Sequence, residues 1–551
     1  MGNSLGHVRG IKSFQQTVTY DYLIVGAGSA GSVLAERLSV DPAIRVLVVE
    51  SGPDDRSPLI GMPRGIGVLL QPGNPHISVY DVAPGGNGPT EVWVKGHAVG
   101  GSSSINGSVY MRGMPHDYDS WAAAGCTGWG WSEMKRCFVA LEKHQLGATD
   151  WRGAAGPLPI GVHPPGNPLC EAVLQSATQI GTPRFEDIND PAIETSGGLG
   201  YQTRNICHGK RVSAGRAFLR PARKRPNLDV VTSARVERVA IENRRATGVH
   251  MRTREGEWFV AAREVILCAG AIETPKLLQL SGIGPAPILQ AVGIPVLINA
   301  PEVGENLREH RYVQTVYQVK GGSMNGRFRG LGLARSLLEY ALAGRGALTH
   351  AAYEVGGVVK SRPDLAYADS QVGVSLYSLD ITNGAVAVGA GHGLTILSYY
   401  GHPESLGTIR IASPDPGAQP LINANHFSAA VDRDATVSLF RWLRKLGTQA
   451  PLQDWIVQEQ SPGAQIETVD EILSNALGLG GTASHIAGTC RMGPDDRSVV
   501  DPRTRMRGID GLRICDTSIM PTLVCGNTNA PAMAMGYRTA ELILEDRAKG
   551  S

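Results

Sequence analysis

The sequence predicts an α/β protein: a Rossmann-like domain assembled from discontinuous stretches of chain, with an inserted α+β domain that contains an antiparallel sheet. Three observations predict it. A strand-helix-strand pattern stands at 20–50, strand-like apolar runs return only near 264 and 512, and alternating apolar and polar runs fill much of the interval. The length of 551 residues points the same way, because single cores stop growing at roughly 250–300 residues.

The N-terminal unit is the best defined. Tyr20–Val25 is an apolar run that closes on Gly26-Ala27-Gly28, apolar residues recur at helical spacing over Ser29–Leu38, and Val46–Glu50 reads as a second buried strand. That is a βαβ unit of roughly 30 residues. Gly26-x-Gly28-x-x-Gly31 lies at the strand-to-helix turn. There the first glycine permits the tight turn, the second lets backbone approach a pyrophosphate, and the third lets helix and strand pack closely. The helix start, with Ser29 and Ala30, offers free N–H groups to phosphates. Glu50, twenty-two positions after Gly28, stands where an acid hydrogen-bonds a ribose hydroxyl, and an acid there disfavours a 2′-phosphate. The unit predicts a dinucleotide. It leaves NAD and FAD open, because both present the same ADP half.

Further along, Glu264–Ala269 and Leu512–Ile514 read as strands of the same domain, and Ala530–Asp546 as a C-terminal helix. Runs such as Gln371–Ser378 and Leu394–Tyr400 read as strands of an antiparallel sheet. There is no internal repeat and no low-complexity tract.

Composition narrows the function. Hydrophobic residues at 42% and charged residues at 19% fit an ordinary globular chain. The net charge is +2 with no Lys/Arg block, so no footprint for nucleic acid or an acidic membrane appears, and a small-molecule partner is expected. The eight cysteines form no CxxC pair and no metal-ligand spacing, which predicts reduced core thiols and no metal. MGNSLGHVRGIKSFQQ has no apolar signal core, and residue 6 is Gly where a myristoylation signal wants Ser or Thr. No stretch approaches the ~18–20 apolar residues of a membrane span, so a cytoplasmic location is expected.

Four more segments carry chemistry. The first is Gly100-Gly101-Ser102-Ser103-Ser104-Ile105-Asn106-Gly107-Ser108 with Tyr110-Met111-Arg112-Gly113; the second is Gly270-Ala271-Ile272-Glu273-Thr274-Pro275 with Ser281-Gly282-Ile283-Gly284-Pro285. The third is His485-x-x-Gly488-Thr489-Cys490-Arg491-Met492-Gly493, and the fourth is Asp516-Thr517-Ser518-x-Met520-Pro521 leading to Gly526-Asn527-Thr528-Asn529-Ala530-Pro531. With the N-terminal fingerprint, and in this order from about Tyr20 to Leu544, they resemble the glucose-methanol-choline (GMC) oxidoreductase family.

The resemblance implies a FAD-binding domain from 18–155, 204–315 and 459–551, a substrate-binding domain from 156–203 and 316–458, and a polar leader at 1–17. It implies FAD contacts at Glu50 and Ser51, a flavin-side loop with Val99, Gly101, Ser102, Asn106, Gly107 and Ser108, adenine packing at Val236, and ADP contacts at Ala269 and Gly270. Asp516, Thr517 and the backbone around Asn529-Ala530 fall on the ribityl-pyrophosphate and pyrimidine side. Some relatives bond the flavin covalently through a histidine where this chain has Ile105, so dissociable FAD is expected. The run Lys95-Gly96-His97 departs from the family's usual Arg-Gly-Lys/Arg, Ser51 replaces an alanine, and Cys515 replaces an apolar residue.

Alcohol oxidation needs loss of the hydroxyl proton and transfer of the carbon-bound hydrogen as hydride. A histidine, with its ordinary pKa near ~6.5, accepts a proton at neutral pH; the resemblance places His485 in that role, with Asn529 as the donor that holds the oxygen. This pair argues against the family's decarboxylases, which lack both residues. It leaves a hydroxynitrile lyase open. From other classes, a NAD-dependent dehydrogenase and a non-catalytic flavin-binding protein also stay open. Met62–Leu70, Gly321–Gly332 and Tyr353–Leu365 are candidate pocket walls. With no acidic cluster for a quaternary ammonium and no polar array for a sugar, a primary alcohol on a small aromatic or heteroaromatic ring is expected. O2 and another electron acceptor are equally compatible with the sequence, and so is any oligomeric state.

Overall fold

The computed structural model describes residues 19–85, 88–382 and 385–550; the leader expected at 1–17 lies outside the described residues. The first sheet runs in the order Leu228–Val231, Val46–Val49, Tyr20–Val25, Gly256–Leu267, Arg245–Thr253 and Arg235–Glu242, with Leu512–Ile514 also paired to Gly256–Leu267. Tyr20–Val25, Val46–Val49, Leu228–Val231 and Leu512–Ile514 are joined by parallel pairings, directly or through 262–267. Apart from Asp21 the N-terminal strands are apolar, as suits parallel strands buried on both faces. Leu23, Ile24, Leu47 and Val48 are completely buried.

The strand expected at Glu264–Ala269 is the second half of a longer one. Gly256–Leu267 first pairs antiparallel with Arg245–Thr253, from Gly256 opposite Thr253 to Ala261 opposite Gly248, and then parallel with Tyr20–Val25. One strand thus ties a hairpin to the nucleotide-binding sheet. The helix Ser29–Leu38 packs against the C-terminal helix Asn529–Gly550. Gly536 allows this approach, since a Cβ there would lie 2.6 Å from the Ala30 carbonyl oxygen.

The second sheet has the order Ile456–Ser461, Arg311–Val319, Gly393–Tyr400, Ser370–Ser375, Val355–Val359 and Gly198–Tyr201, with Gly481–Thr482 on Arg311–Val319. Every pairing in it is antiparallel. The helix Ala430–Gly447 lies on it and buries Val437, Phe440, Leu443 and Leu446 at helical spacing. The borders expected at 315 and 459 cut the strands Arg311–Val319 and Ile456–Ser461, which both belong to this sheet. Ile472 and Ala476 of the helix Val469–Gly478 enter the same core. Alternation marks a strand but does not say which sheet it joins. A third sheet pairs Ile77–Ala83 and Glu91–Gly96 with Leu421–Asn423 and Thr408–Arg410, and so bridges the two expected domains.

Candidate active site

The carboxyl ends of the parallel strands form a cradle. Gly26 has φ +106°, and a Cβ on it would stand 2.4 Å from the Cys268 carbonyl oxygen; a Cβ on Gly31 would stand 2.1 Å from the Gly26 oxygen. The helix Ser29–Leu38 starts without a side-chain cap, so its first N–H groups stay available to an anion. A second glycine turn packs on this one: Gly100 N–H donates to the Ala27 oxygen at 2.7 Å, and a Cβ on Gly101 would come 2.8 Å from Gly28 Cα.

Two buried acids brace the cradle. Glu50 accepts from Ala27 N–H and Gly52 N–H, each at 2.8 Å. Asp516 accepts from Gly270 N–H at 2.9 Å, the Thr274 hydroxyl at 2.7 Å and Ser518 N–H at 2.8 Å. Burial pushes both carboxyls above their ordinary range, against the pull of those bonds.

A cavity of about 570 Å³ runs along the cradle. Of the residues expected at the cofactor, Gly26, Gly28, Ser29, Ala30, Glu50, Ser51, Gly101, Ser102, Asn106, Gly107, Val236, Ala269, Gly270, Asp516 and Thr517 line it. Gly31, Val99, Ser108 and Ala530 do not. Gly31 closes helix on strand, Val99 packs against Gly215, and Ser108 and Ala530 are buried. Asn106 turns its carbonyl oxygen inward, accepting from Ser108 N–H at 3.0 Å and Arg211 Nη1 at 2.7 Å. The eight cysteines are free thiols, seven of them buried, and no group of three or more metal-ligating side chains gathers among the described residues.

At the far end of the cavity stands His485, held by a chain of hydrogen bonds. His310 Nε2 lies 2.9 Å from the Gly401 carbonyl oxygen, His310 Nδ1 2.9 Å from His485 Nδ1, and His485 Nε2 2.9 Å from Asn527 Nδ2. Asn527 Oδ1 accepts from Gln371 Nε2 at 2.9 Å, and Gln371 Oε1 accepts from the Tyr399 hydroxyl. The Gly401 carbonyl can only accept, and this sets every direction along the chain. His310 must donate from Nε2 and accept at Nδ1; His485 must then donate from Nδ1, which leaves a lone pair on Nε2. Both rings have to be neutral for this to hold. Burial supplies that condition, taking His310 down to about 3, while burial and the Lys95 charge hold His485 well below the usual histidine range.

The partner of His485 is therefore Asn527, and the pairing expected with Asn529 is corrected. Asn529 starts the last helix and faces the cradle: its Oδ1 accepts from the Ser29 hydroxyl at 2.8 Å, and its buried Nδ2 has no hydrogen-bond partner among the described residues. Two asparagines two residues apart in Gly526-Asn527-Thr528-Asn529 carry no mark in sequence of which one meets the histidine. His310, Gln371 and Tyr399 had no sequence signal either. His310 directly precedes the strand Arg311–Val319, while Gln371 and Tyr399 are direct cross-strand partners, so only sheet register brings them together. Lys95, a departure from the expected motif, is half-buried here and donates to the Ser484 carbonyl at 3.0 Å. Of the candidate walls, Met62–Leu70 contributes Ile66 and Leu70 and Tyr353–Leu365 contributes Tyr353, whereas nothing from Gly321–Gly332 lines the cavity.

Comparison with known proteins gives a consistent result. Family models described as GMC oxidoreductase match residues 20–312 and 403–536. The chain is 37% identical to an alcohol dehydrogenase (acceptor) of Pseudomonas putida over 95% of its length and 96% of the relative's. It is 35% identical to an oxygen-dependent choline dehydrogenase of Burkholderia multivorans, over 96% and 94%. The crystal structure of pyridoxine 4-oxidase from Mesorbium loti superposes with a TM-score of 0.85 at 31% identity, covering 96% of this chain and 99% of that one.

Proposed function

The chain belongs to the GMC oxidoreductase family, and from that premise we propose that this FAD-dependent enzyme oxidises a primary alcohol on a small aromatic or heteroaromatic ring to the aldehyde. In this proposal His485 is the base, Asn527 holds the substrate oxygen and FAD is dissociable. Membership displaces the NAD-dependent reading, and the cavity suits FAD. The uncapped helix start and the glycine turns suit a pyrophosphate, and the unpartnered Asn529 Nδ2 supplies a donor for a carbonyl acceptor of the cofactor. Ile105, buried beside the cavity, has no atom able to bond a flavin covalently.

The observation that carries the proposal is the fixed lone pair on His485 Nε2 beside the Asn527 amide donor. A hydroxyl that enters here replaces the 2.9 Å bond between them with two, donating to Nε2 and accepting from Nδ2, so one group takes the proton and the other steadies the oxygen as charge develops. When bound, FAD supplies the acceptor for the hydride that leaves the carbinol carbon. The alcohol loses one proton and one hydride, and the aldehyde remains. His485 starts neutral because burial and the Lys95 charge keep it so, and the His310 bond keeps Nε2 pointed at the hydroxyl.

Ile66, Leu70, Ile105, Val109, Ala352 and Tyr353 supply apolar lining, while the lining carboxylates Glu50, Glu273 and Asp516 belong to the cradle and its helix. That supports a flat apolar ring over a quaternary ammonium, in keeping with the similarity to pyridoxine 4-oxidase. The test is an anaerobic panel read by flavin bleaching: benzyl-type and pyridylmethyl-type alcohols should reduce the flavin, and choline and glucose should not. Faster bleaching by choline or a sugar than by every aromatic alcohol would overturn the substrate assignment. Admitting air to the bleached enzyme then distinguishes O2 from another acceptor.

A further inference from the structure

The helix Gly330–Ala343 shows its apolar side to solvent. Leu331 is 91% exposed, Leu342 79% and Leu338 60%. These leucines share one stripe with the exposed Ala334 and Ala341, and the only buried residue of the helix is Ser336. A helix of a globular protein turns such a stripe inward. Around it stand Arg327, Arg329, Arg335 and Arg345 against a single acid, Glu339. Glu339 pairs with Arg327 and Arg335, whereas Arg329 and Arg345 are exposed and make no ion pair among the described residues. The arginines are spread along the sequence, so no basic block announces them.

The helix also stands beside the cavity wall. Phe328, just before it, takes the Arg64 guanidinium over its ring at 5.5 Å, and Ala347–Thr349, just after it, packs on Pro63–Gly65. The next residues, Ile66 and Leu70, line the cavity, and Val68 and Leu70 are themselves 54% and 37% exposed.

We propose that this helix docks on an anionic lipid surface, its leucines at the acyl boundary and its arginines among the headgroups, and so holds the cavity wall at the membrane. An apolar stripe flanked by arginines is the pattern of an interfacial helix, and its 14 residues are too few to span a bilayer. Charge decides against a second copy as the occupant: a two-fold contact through this face would set each arginine group against its twin, whereas anionic headgroups complement it. The inference is independent of which alcohol is oxidised.

The test uses the holoenzyme and its Leu331→Ser/Leu338→Ser/Leu342→Ser variant, whose exposed side chains support no core. Wild type should co-sediment with vesicles containing phosphatidylglycerol and not with pure phosphatidylcholine. The variant should bind the anionic vesicles at least about tenfold more weakly, with alcohol-driven flavin reduction in solution unchanged. The proposal is overturned if wild type ignores anionic vesicles, or if the variant binds them as well as wild type. It is equally overturned if light scattering shows a dimer that the variant dissolves, without vesicle binding.

Discussion

The cradle and the reacting end of the cavity are built on different principles. The cradle is made of backbone: Gly26, Gly31 and Gly101 let main chain meet main chain, and Glu50 and Asp516 hold the turns by accepting N–H groups two to twenty-three residues away or across one strand pairing. The reacting end is made of side chains from five separate segments, His310, Gln371, Tyr399, His485 and Asn527, linked in one polarised chain that ends on the Gly401 carbonyl. Chemistry that only requires a close approach can be written in a short motif, whereas chemistry that requires one lone pair in one direction recruits the tertiary fold.

If the two ends are separable, substitutions should affect them one at a time. The largest effect is expected for His485→Ala: anaerobic flavin reduction by the alcohol should slow about 1,000-fold, measured by stopped flow, while the protein stays yellow through gel filtration. Loss of FAD together with activity would mean that the histidine belongs to the cradle. A smaller effect is expected from pH. The base must be neutral, and its folded pKa is depressed by burial and by the neighbouring Lys95 charge, so the reduction rate should stay on its plateau as pH falls from 8 through 6.5 and drop only at more acid pH. Lys95→Met removes the neighbouring positive charge that adds to burial, and should move that drop upward toward 6.5. A wild-type rate already halved at 6.5 would contradict a depressed pKa.

The same division explains what the sequence disclosed. Gly26-x-Gly28-x-x-Gly31, Glu50, the Gly100–Ser108 turn and Asp516 were legible because each acts where it stands, and most of them line the cavity. His485 was legible because Gly488-Thr489-Cys490-Arg491-Met492-Gly493 follows it. Its partner was misread by two positions. Asn527 and Asn529 are chemically identical, and only the fold sends one to the histidine and the other to Ser29. His310 and Gln371 look like ordinary polar residues at strand positions, and their role follows from the pairing of Gln371 with Tyr399. The borders drawn at 315 and 459 fall inside two strands of one sheet for the same reason, since strand membership is a long-range property.

The measurement that tests the central claim most directly sets Asn527→Ala beside Asn529→Ala, reading flavin reduction and FAD dissociation for each. With Asn527 holding the substrate oxygen, Asn527→Ala should slow reduction about 100-fold and leave FAD affinity unchanged, whereas Asn529→Ala should weaken FAD binding and leave reduction in the FAD-saturated enzyme within a few-fold of wild type. The opposite pattern, with reduction lost in Asn529→Ala and kept in Asn527→Ala, would contradict the account.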